Sequence, residues 1–214
     1  MASATTAETV EFDPATMSFT EQYKLLTGTV VPRPIGLVAT LGPDGVNAAP
    51  FSFFNAVAAS PPMVAFSIGP RTEGVKDTLS NLRHIPEFVV HLVDEAAKDG
   101  MNVCAVDHAP GVDEIALAGF HTAPSRKVRP PRILDCPVQY ECRVEQVVEL
   151  GGVPYHLVIG EVLHMHYRAG IVNERLHVDP DRLGTIGRLA GAGLYCRIGD
   201  RFTMPALPAP GAAA

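Results

Sequence analysis

The run Val138-Gln-Tyr-Glu-Cys-Arg-Val-Glu145 sets the fold class. Val138, Tyr140, Cys142 and Val144 alternate with Gln139, Glu141, Arg143 and Glu145, and a period of two marks a strand with one face on a core and the other toward water. Gly151-Gly152 then turns the chain into Tyr155-His-Leu-Val-Ile-Gly-Glu-Val-Leu163, so the two runs predict a long hairpin. Upstream, Ile35 to Leu41 and Val46 to Asn55 flank Gly42-Pro-Asp-Gly45, whose residues favour a tight turn. Pro61-Pro62 breaks the chain before a third strand at Met63 to Ile68, Glu87 to Val93 reads as another, and a last strand is expected near Gly193 to Ile198. Helical spacing is confined to short stretches: Thr20 to Leu26, capped by Thr20; Lys76 to His84, with Asp77 near the positive end of its dipole; and Glu95 to Val106. Roughly six or seven strands with short turns and few helices predict a mainly β protein, an antiparallel sheet closed into a barrel with short peripheral helices. A doubly wound parallel sheet is disfavoured.

The chain has 214 residues, 17 basic against 23 acidic, for a formal net charge of −6. That balance argues against a general nucleic-acid binder, which needs clustered cations for the phosphate backbone. With 47% hydrophobic and 19% charged residues the chain is a folded one, not a disordered one. Its length suits one domain, taken as residues 20–204, between an N-terminal extension (1–19) and a Pro/Ala-rich tail (205–214). Met1 to Thr9 lacks the basic and apolar parts of a secretory signal, and Ala56 to Ile68 is too interrupted to span a bilayer, so a cytoplasmic protein with no membrane partner is expected. Cys104, Cys136, Cys142 and Cys196 form no Cys-x-x-Cys pair and read as reduced, mostly buried residues. Asp94 to Arg132 is the least periodic part and carries basic residues at 126, 127, 129 and 132; a surface loop is the expectation there, with an insertion or lid as the alternative.

Common catalytic signatures are missing: no G-x-S-x-G elbow, no phosphate loop, no H-E-x-x-H. Gly187 to Gly193 lacks G-x-G-x-x-G spacing and a surrounding βαβ unit, which argues against a Rossmann domain. His164 and His166 would share one face of a strand as two metal ligands do, yet no third ligand stands at obvious spacing, so solvent-facing histidines are favoured over a metal site. His91 reads as a satisfied core or pocket-lining histidine. The constellation worth following is Val30 to Thr78. A helix start near Lys76 offers free amides and a positive dipole end, with Arg71, Thr72, Lys76 and Thr78 around it, the outline of a phosphate site. Ser52, Phe53, Phe54 and Asn55 add flat apolar surface with polar edges, suited to an aromatic ring. Each piece also has an ordinary reading: aromatics in a core, cations in water, prolines in turns.

The series Arg33-Pro-Ile, Val38-Ala-Thr40, Asp44-Gly45, Asn47-Ala-Ala-Pro-Phe-Ser-Phe-Phe-Asn55, Pro61-Pro62, Lys76-Asp-Thr78, Asn81 and Glu87-Phe-Val-Val90 resembles the flavin reductase-like family with the FMN-binding split barrel. Arg188, Gly191 and Tyr195 extend the likeness, which covers about residues 20 to 200. The resemblance implies a split antiparallel barrel, usually a homodimer, with FMN, or FAD in its place, held or used as substrate near the subunit interface. It implies an NAD(P)H-dependent flavin reductase that oxidises NADH or NADPH without a nicotinamide domain of its own and supplies reduced flavin to a partner such as a monooxygenase. Carried over by position, Ser52, Phe53, Phe54 and Asn55 would line the flavin ring and ribityl chain, and Lys76, Asp77 and Thr78, with Arg33 and Thr72, the phosphate end. No catalytic side chain is named, because in hydride transfer the reacting atoms belong to nicotinamide and flavin. His91 stands where many relatives carry Asn, which would matter if it faced the flavin. Two other readings remain: an FMN-binding electron carrier without NAD(P)H turnover, and a non-redox barrel binding another ligand or a metal.

Overall fold

The computed structural model describes residues 8–71, 74–109 and 111–205. The first half contributes α1 (Phe19–Thr29), β1 (Gly36–Gly42), β2 (Gly45–Phe51), β3 (Phe54–Ala59), β4 (Pro62–Ile68), α2 (Asp77–His84) and β5 (Glu87–Leu92). The second contributes α3 (Lys98–Val103), α4 (Glu114–Leu117), β6 (Thr122–Ala123), β7 (Arg132–Ile133), β8 (Val138–Leu150), β9 (Tyr155–Tyr167), α5 (Pro180–Leu183), β10 (Ile186–Arg188) and β11 (Tyr195–Arg197).

The expected hairpin is there and is longer than its alternation suggests: β8 and β9 pair antiparallel from Val138↔Tyr167 to Leu150↔Tyr155, with irregularities at Glu141/Cys142 and Val144/Gln146. Seven strands form one antiparallel sheet in the order β2-β1-β5-β8-β9-β4-β3. The expected strand Val46 to Asn55 is in fact two, β2 and β3, separated by Ser52 and Phe53. Those strands lie at opposite edges of the sheet yet are joined by two residues, so the sheet must curl until its edges meet. The Phe53 carbonyl accepts the Ser67 amide at 2.9 Å, which carries the β3–β4 ladder into the corner. The result is the antiparallel split barrel.

Inside it lie Val38, Phe51, Phe54, Phe66, Phe88, Val90, Cys142 and Val158. Phe66 meets Phe51 at 4.9 Å and Phe88 edge-on at 5.3 Å between centroids, geometry that adds to the ~1.5–3 kcal/mol for burying each ring. Gly160 makes room for Phe88, since a Cβ there would collide with the ring.

The outer face of β1, β2 and β5 is not wet either. Leu37, Ala39 and Ala48 pack against Met101, Cys104, Ile115, Ile133 and Cys136, so the segment expected to be a surface loop, Asp94 to Arg132, covers a second core. Within it the expected helix Glu95 to Val106 contracts to α3. The water-facing side expected for β8 is covered too: Gln139 and Glu141 are buried. His91 is a pin in this layer. Its Nδ1–H donates to the Leu37 carbonyl at 2.8 Å and its Nε2 accepts the Ile133 amide at 2.8 Å, and burial pushes its pKa down to about 4.

Helix α1 begins one residue before the expected start and is capped by Ser18 rather than Thr20: the Ser18 hydroxyl accepts the Glu21 amide at 3.3 Å while the Glu21 carboxylate takes the Ser18 amide at 2.8 Å. All four cysteines are free, three buried and Cys196 half-buried, and burial pushes the Cys104 thiol up to about 12. Among the described residues no helix is long and apolar enough to cross a membrane.

Candidate active site

The two-residue corner at Ser52-Phe53 shapes the site. On one side opens a cavity of about 460 Å³, lined by Arg33, Ser52, Phe53, Phe54 and Asn55 together with apolar residues such as Val30, Leu157 and Ile159. Five of the nine residues singled out from the sequence thus converge. A mostly apolar chamber with a few polar groups is what a flat ring system requires. Phe53 stacks between Tyr23 and Tyr155, at 6.4 and 6.1 Å between centroids, and divides this chamber from a second apolar one of about 290 Å³.

Arg33 belongs to the chamber, but its charge is committed. Its Nη1 donates to the Thr27 and Val30 carbonyls at 2.5 and 2.7 Å, Nη2 to the Leu189 carbonyl at 3.1 Å, and Nε to the Ser52 hydroxyl at 3.4 Å. Its backbone pairs with Arg188 in both directions. Arg33 therefore clamps the end of α1, the corner and the segment after β10 together, and its burial lowers its pKa.

Lys76, Asp77 and Thr78 gather at a different cavity, of about 90 Å³, on the other side of the corner, where Asn47, Ala49, Pro50 and Phe51 of β2 form one wall. Lys76 is the N-cap of α2 and provides no side-chain cap, which leaves the first amides of the helix open toward the cavity mouth. Among the described residues Lys76 has no ion pair. Asp77 lies 3.8 Å from Arg71, and Arg71 Nη2 reaches the His108 carbonyl at 3.2 Å. Thr78 is buried, its hydroxyl donating to Asn47 Oδ1 at 3.0 Å. Asn47 Nδ2 donates to Glu114 Oε1 at 2.9 Å, and the free-edge amide of Ala48 donates to Glu114 Oε2 at 3.2 Å. Thr72 lies outside the described residues.

Sequence reading missed Glu114 and His108. Both sit in the aperiodic segment, and nothing but the short helix start Asp113-Glu114 marked the place. His91 lines neither cavity, because it faces the outer core. The basic residues 126 to 132 line neither cavity as well. His164 and His166 are neighbours with ring centroids 4.6 Å apart, and His166 Nε2 bonds Glu141 at 2.6 Å. Among the described residues no three His, Cys, Asp or Glu side chains gather as metal ligands.

Comparison with known proteins gives the arrangement its family. The family model for the flavin reductase like domain matches residues 27–187. The structure of nitrilotriacetate monooxygenase component B from Bacillus cereus superposes with a TM-score of 0.89 at 32% identity, covering 93% of this chain and 100% of that one. The 2-nitrobenzoate 2-nitroreductase NbaA of Pseudomonas fluorescens gives 0.84 at 33% identity, covering 94% and 100%. An uncharacterized protein of Deinococcus radiodurans is 39% identical over 201 residues, 90% of this chain and 88% of its own length. With the split barrel, the ring-sized chamber and the open helix start all inside the matched span, this chain belongs to the flavin reductase-like family and is a flavin-related redox protein.

Proposed function

We propose that the chain is an NAD(P)H-dependent flavin reductase that holds or turns over FMN, with FAD as the alternative flavin. The observation that carries this reading is the corner itself: Ala49 to Phe51 line the cavity at the open start of α2, and the next residues, Ser52 to Asn55, line the apolar chamber of about 460 Å³. The residues fit a flavin mononucleotide. Ser52, Phe53, Phe54 and Asn55 would take the ring and ribityl chain; Lys76 and the first amides of α2 would take the phosphate, with Asp77 and Thr78 fixing that helix start. When bound, flavin supplies the hydride acceptor, and nicotinamide the donor. The protein's own part is to hold the ring against the corner, exclude water with Leu157, Ile159 and Val30, and keep the wall rigid through Arg33.

The outward side of β3 and the exposed Phe19, Tyr23, Leu26 and Val30 of the neighbouring α1 region would be covered by a second copy in a homodimer. Reduced flavin would then pass to a separate oxygenase, in keeping with the name of the Bacillus cereus relative as one component of a monooxygenase. The test is a visible spectrum of the protein loaded with FMN, recorded anaerobically before and after NADH and then NADPH. Bleaching by either donor is the expected result. A yellow protein that neither donor bleaches, with no turnover of added free flavin, would make it an electron carrier instead.

A further inference from the structure

The basic stretch Arg126 to Arg132 takes no part in the site above, and its construction asks for another explanation. The loop is built around a buried carboxylate. Glu141, fully buried on β8, accepts the Arg126 amide at 2.8 Å, the Lys127 amide at 2.6 Å and His166 Nε2 at 2.6 Å. Burial alone would raise its pKa, and these bonds hold it below the usual carboxylate range, so it stays an anion under the loop. A second carboxylate does the same further along: Glu87 accepts both the backbone and the side chain of Arg129 at 2.9 Å. Ser125 Oγ closes the loop on the Pro130 carbonyl at 2.6 Å, and Val128 is tucked beneath. The main-chain donors point inward to carboxylates.

The side chains of Arg126 and Lys127 are exposed and, among the described residues, have no ion pair. Two adjacent unpaired cations on a rigid loop repel each other, and a chain of net charge −6 had carboxylates to spare for neutralising them. Along β9 the His164 end, beside Glu141, is five residues from Ile159 of the ring chamber, about 16 Å at ~3.3 Å per residue. The loop is thus set apart from the chamber.

We propose that residues 125–130 form a preorganised docking platform for a protein partner with an acidic surface, contacted through Arg126 and Lys127. An acidic partner is repelled by the net charge of −6 of the molecule, so a rigid basic patch fixes its orientation as well as attracting it. A bound small anion is disfavoured, because the Glu141 carboxylate already takes the Arg126 and Lys127 amides.

The test uses the full chain and a fluorescein-labelled oligo-glutamate peptide as probe, read by anisotropy. The open start of α2 is a second place for an anion on this chain, so the patch is reported by the part of the binding that R126E/K127E removes. Saturable binding is expected at about 0.01 M salt, where the Debye length is about 30 Å, and its loss near 1 M, where it is about 3 Å. The double variant R126E/K127E should bind at least about tenfold more weakly, whereas K24E/R83E, reversing two exposed cations elsewhere, should not weaken it as much. No binding by the natural chain, or equal binding by R126E/K127E, overturns the proposal. Tighter binding to duplex DNA than to oligo-glutamate overturns it in favour of a nucleic-acid partner. The probe assay needs no flavin, so its result is separate from the flavin reading, and R126E/K127E should keep the natural rate of free-flavin reduction.

Discussion

The two faces of one sheet are held by different physics. On the inside of β1, β5 and β8 stand Val38, Phe88, Val90 and Cys142, packed by shape, with the Thr40 hydroxyl at the end of β1 accepting Asn81 Nδ2 at 3.1 Å. On the outside of the same strands stand Leu37, His91, Gln139 and Glu141, where the polar groups are buried and each is matched to a partner on the covering segment: His91 to Ile133, Gln139 to Arg132 and Glu141 to Arg126 and Lys127. The inner face works by volume and shape. The outer face works by specific hydrogen bonds, which pin a segment lacking any periodicity of its own. Packing therefore makes the barrel, and buried polar pins decide where residues 94–136 lie on it.

The contrast is broken most severely from the inside. Phe88→Ala removes a fully buried ring that touches Phe66 and leaves a cavity beside Gly160, a loss of about 3–5 kcal/mol. Denaturant unfolding should show the midpoint falling with all probes moving together. A loss below about 1 kcal/mol would mean that the barrel interior can collapse around the gap and is not close-packed.

On the outside the largest effect is one of pH. His91 has its pKa pushed down to about 4 in the fold from 6.5, and a group so depressed takes up its proton earlier in the unfolded chain than in the folded one. Its contribution is therefore complete above about pH 6.5 and is lost as the pH falls from there toward 4, by about 3 kcal/mol at the limit. The stability difference between the natural chain and His91→Asn should narrow over that window. A difference independent of pH would mean that His91 is not the neutral pin described above.

Glu141→Gln is expected to cost about 2 kcal/mol, because a neutral amide replaces a carboxylate that accepts from two backbone amides and a histidine. Hydrogen exchange should locate the damage: the amides of Arg126 and Lys127 gain exchange while those of Val38 and Val90 do not. Uniform acceleration across both faces would erase the distinction between them.

The same division explains what could be read from residues alone. Strands with one apolar face announce themselves by alternation, so β8, β9, β4 and β5 were legible from Val138, Cys142, Val158 and their like. Ser52-Phe53 was not, because a lone Ser between Phe51 and Phe53, with no Gly or Asp beside it, is a weak turn signal inside an apolar run, and the corner exists since the sheet edges must meet. Ser18 with Glu21 three residues on did carry a legible capping box, passed over for Thr20 inside the helix. Of the site, both clusters were legible but not their separation: Arg33 looks like a free cation until Leu189, distant in sequence, takes its guanidinium. Glu114 and His108 could not be read, since their importance comes from a segment whose position is set by pins elsewhere.

The smallest expected effect tests the place where the two regimes meet. The cavity at Lys76 has inner-barrel residues Ala49 and Phe51 on one wall and the outer segment's 104–108 and Glu114 on another. Lys76→Ala removes a half-buried cation and little packing, so it should leave the unfolding midpoint unchanged and weaken FMN binding by about 1–2 kcal/mol, roughly five- to thirtyfold in Kd. Riboflavin, which has the same ring and no phosphate, should bind the variant as it binds the natural chain. Because both flavins would use the chamber at Ser52 to Asn55, equal losses for both would place the damage in the ring chamber, and no loss for either would remove Lys76 from the phosphate end. Only a selective loss of FMN joins the two cavities into one flavin site.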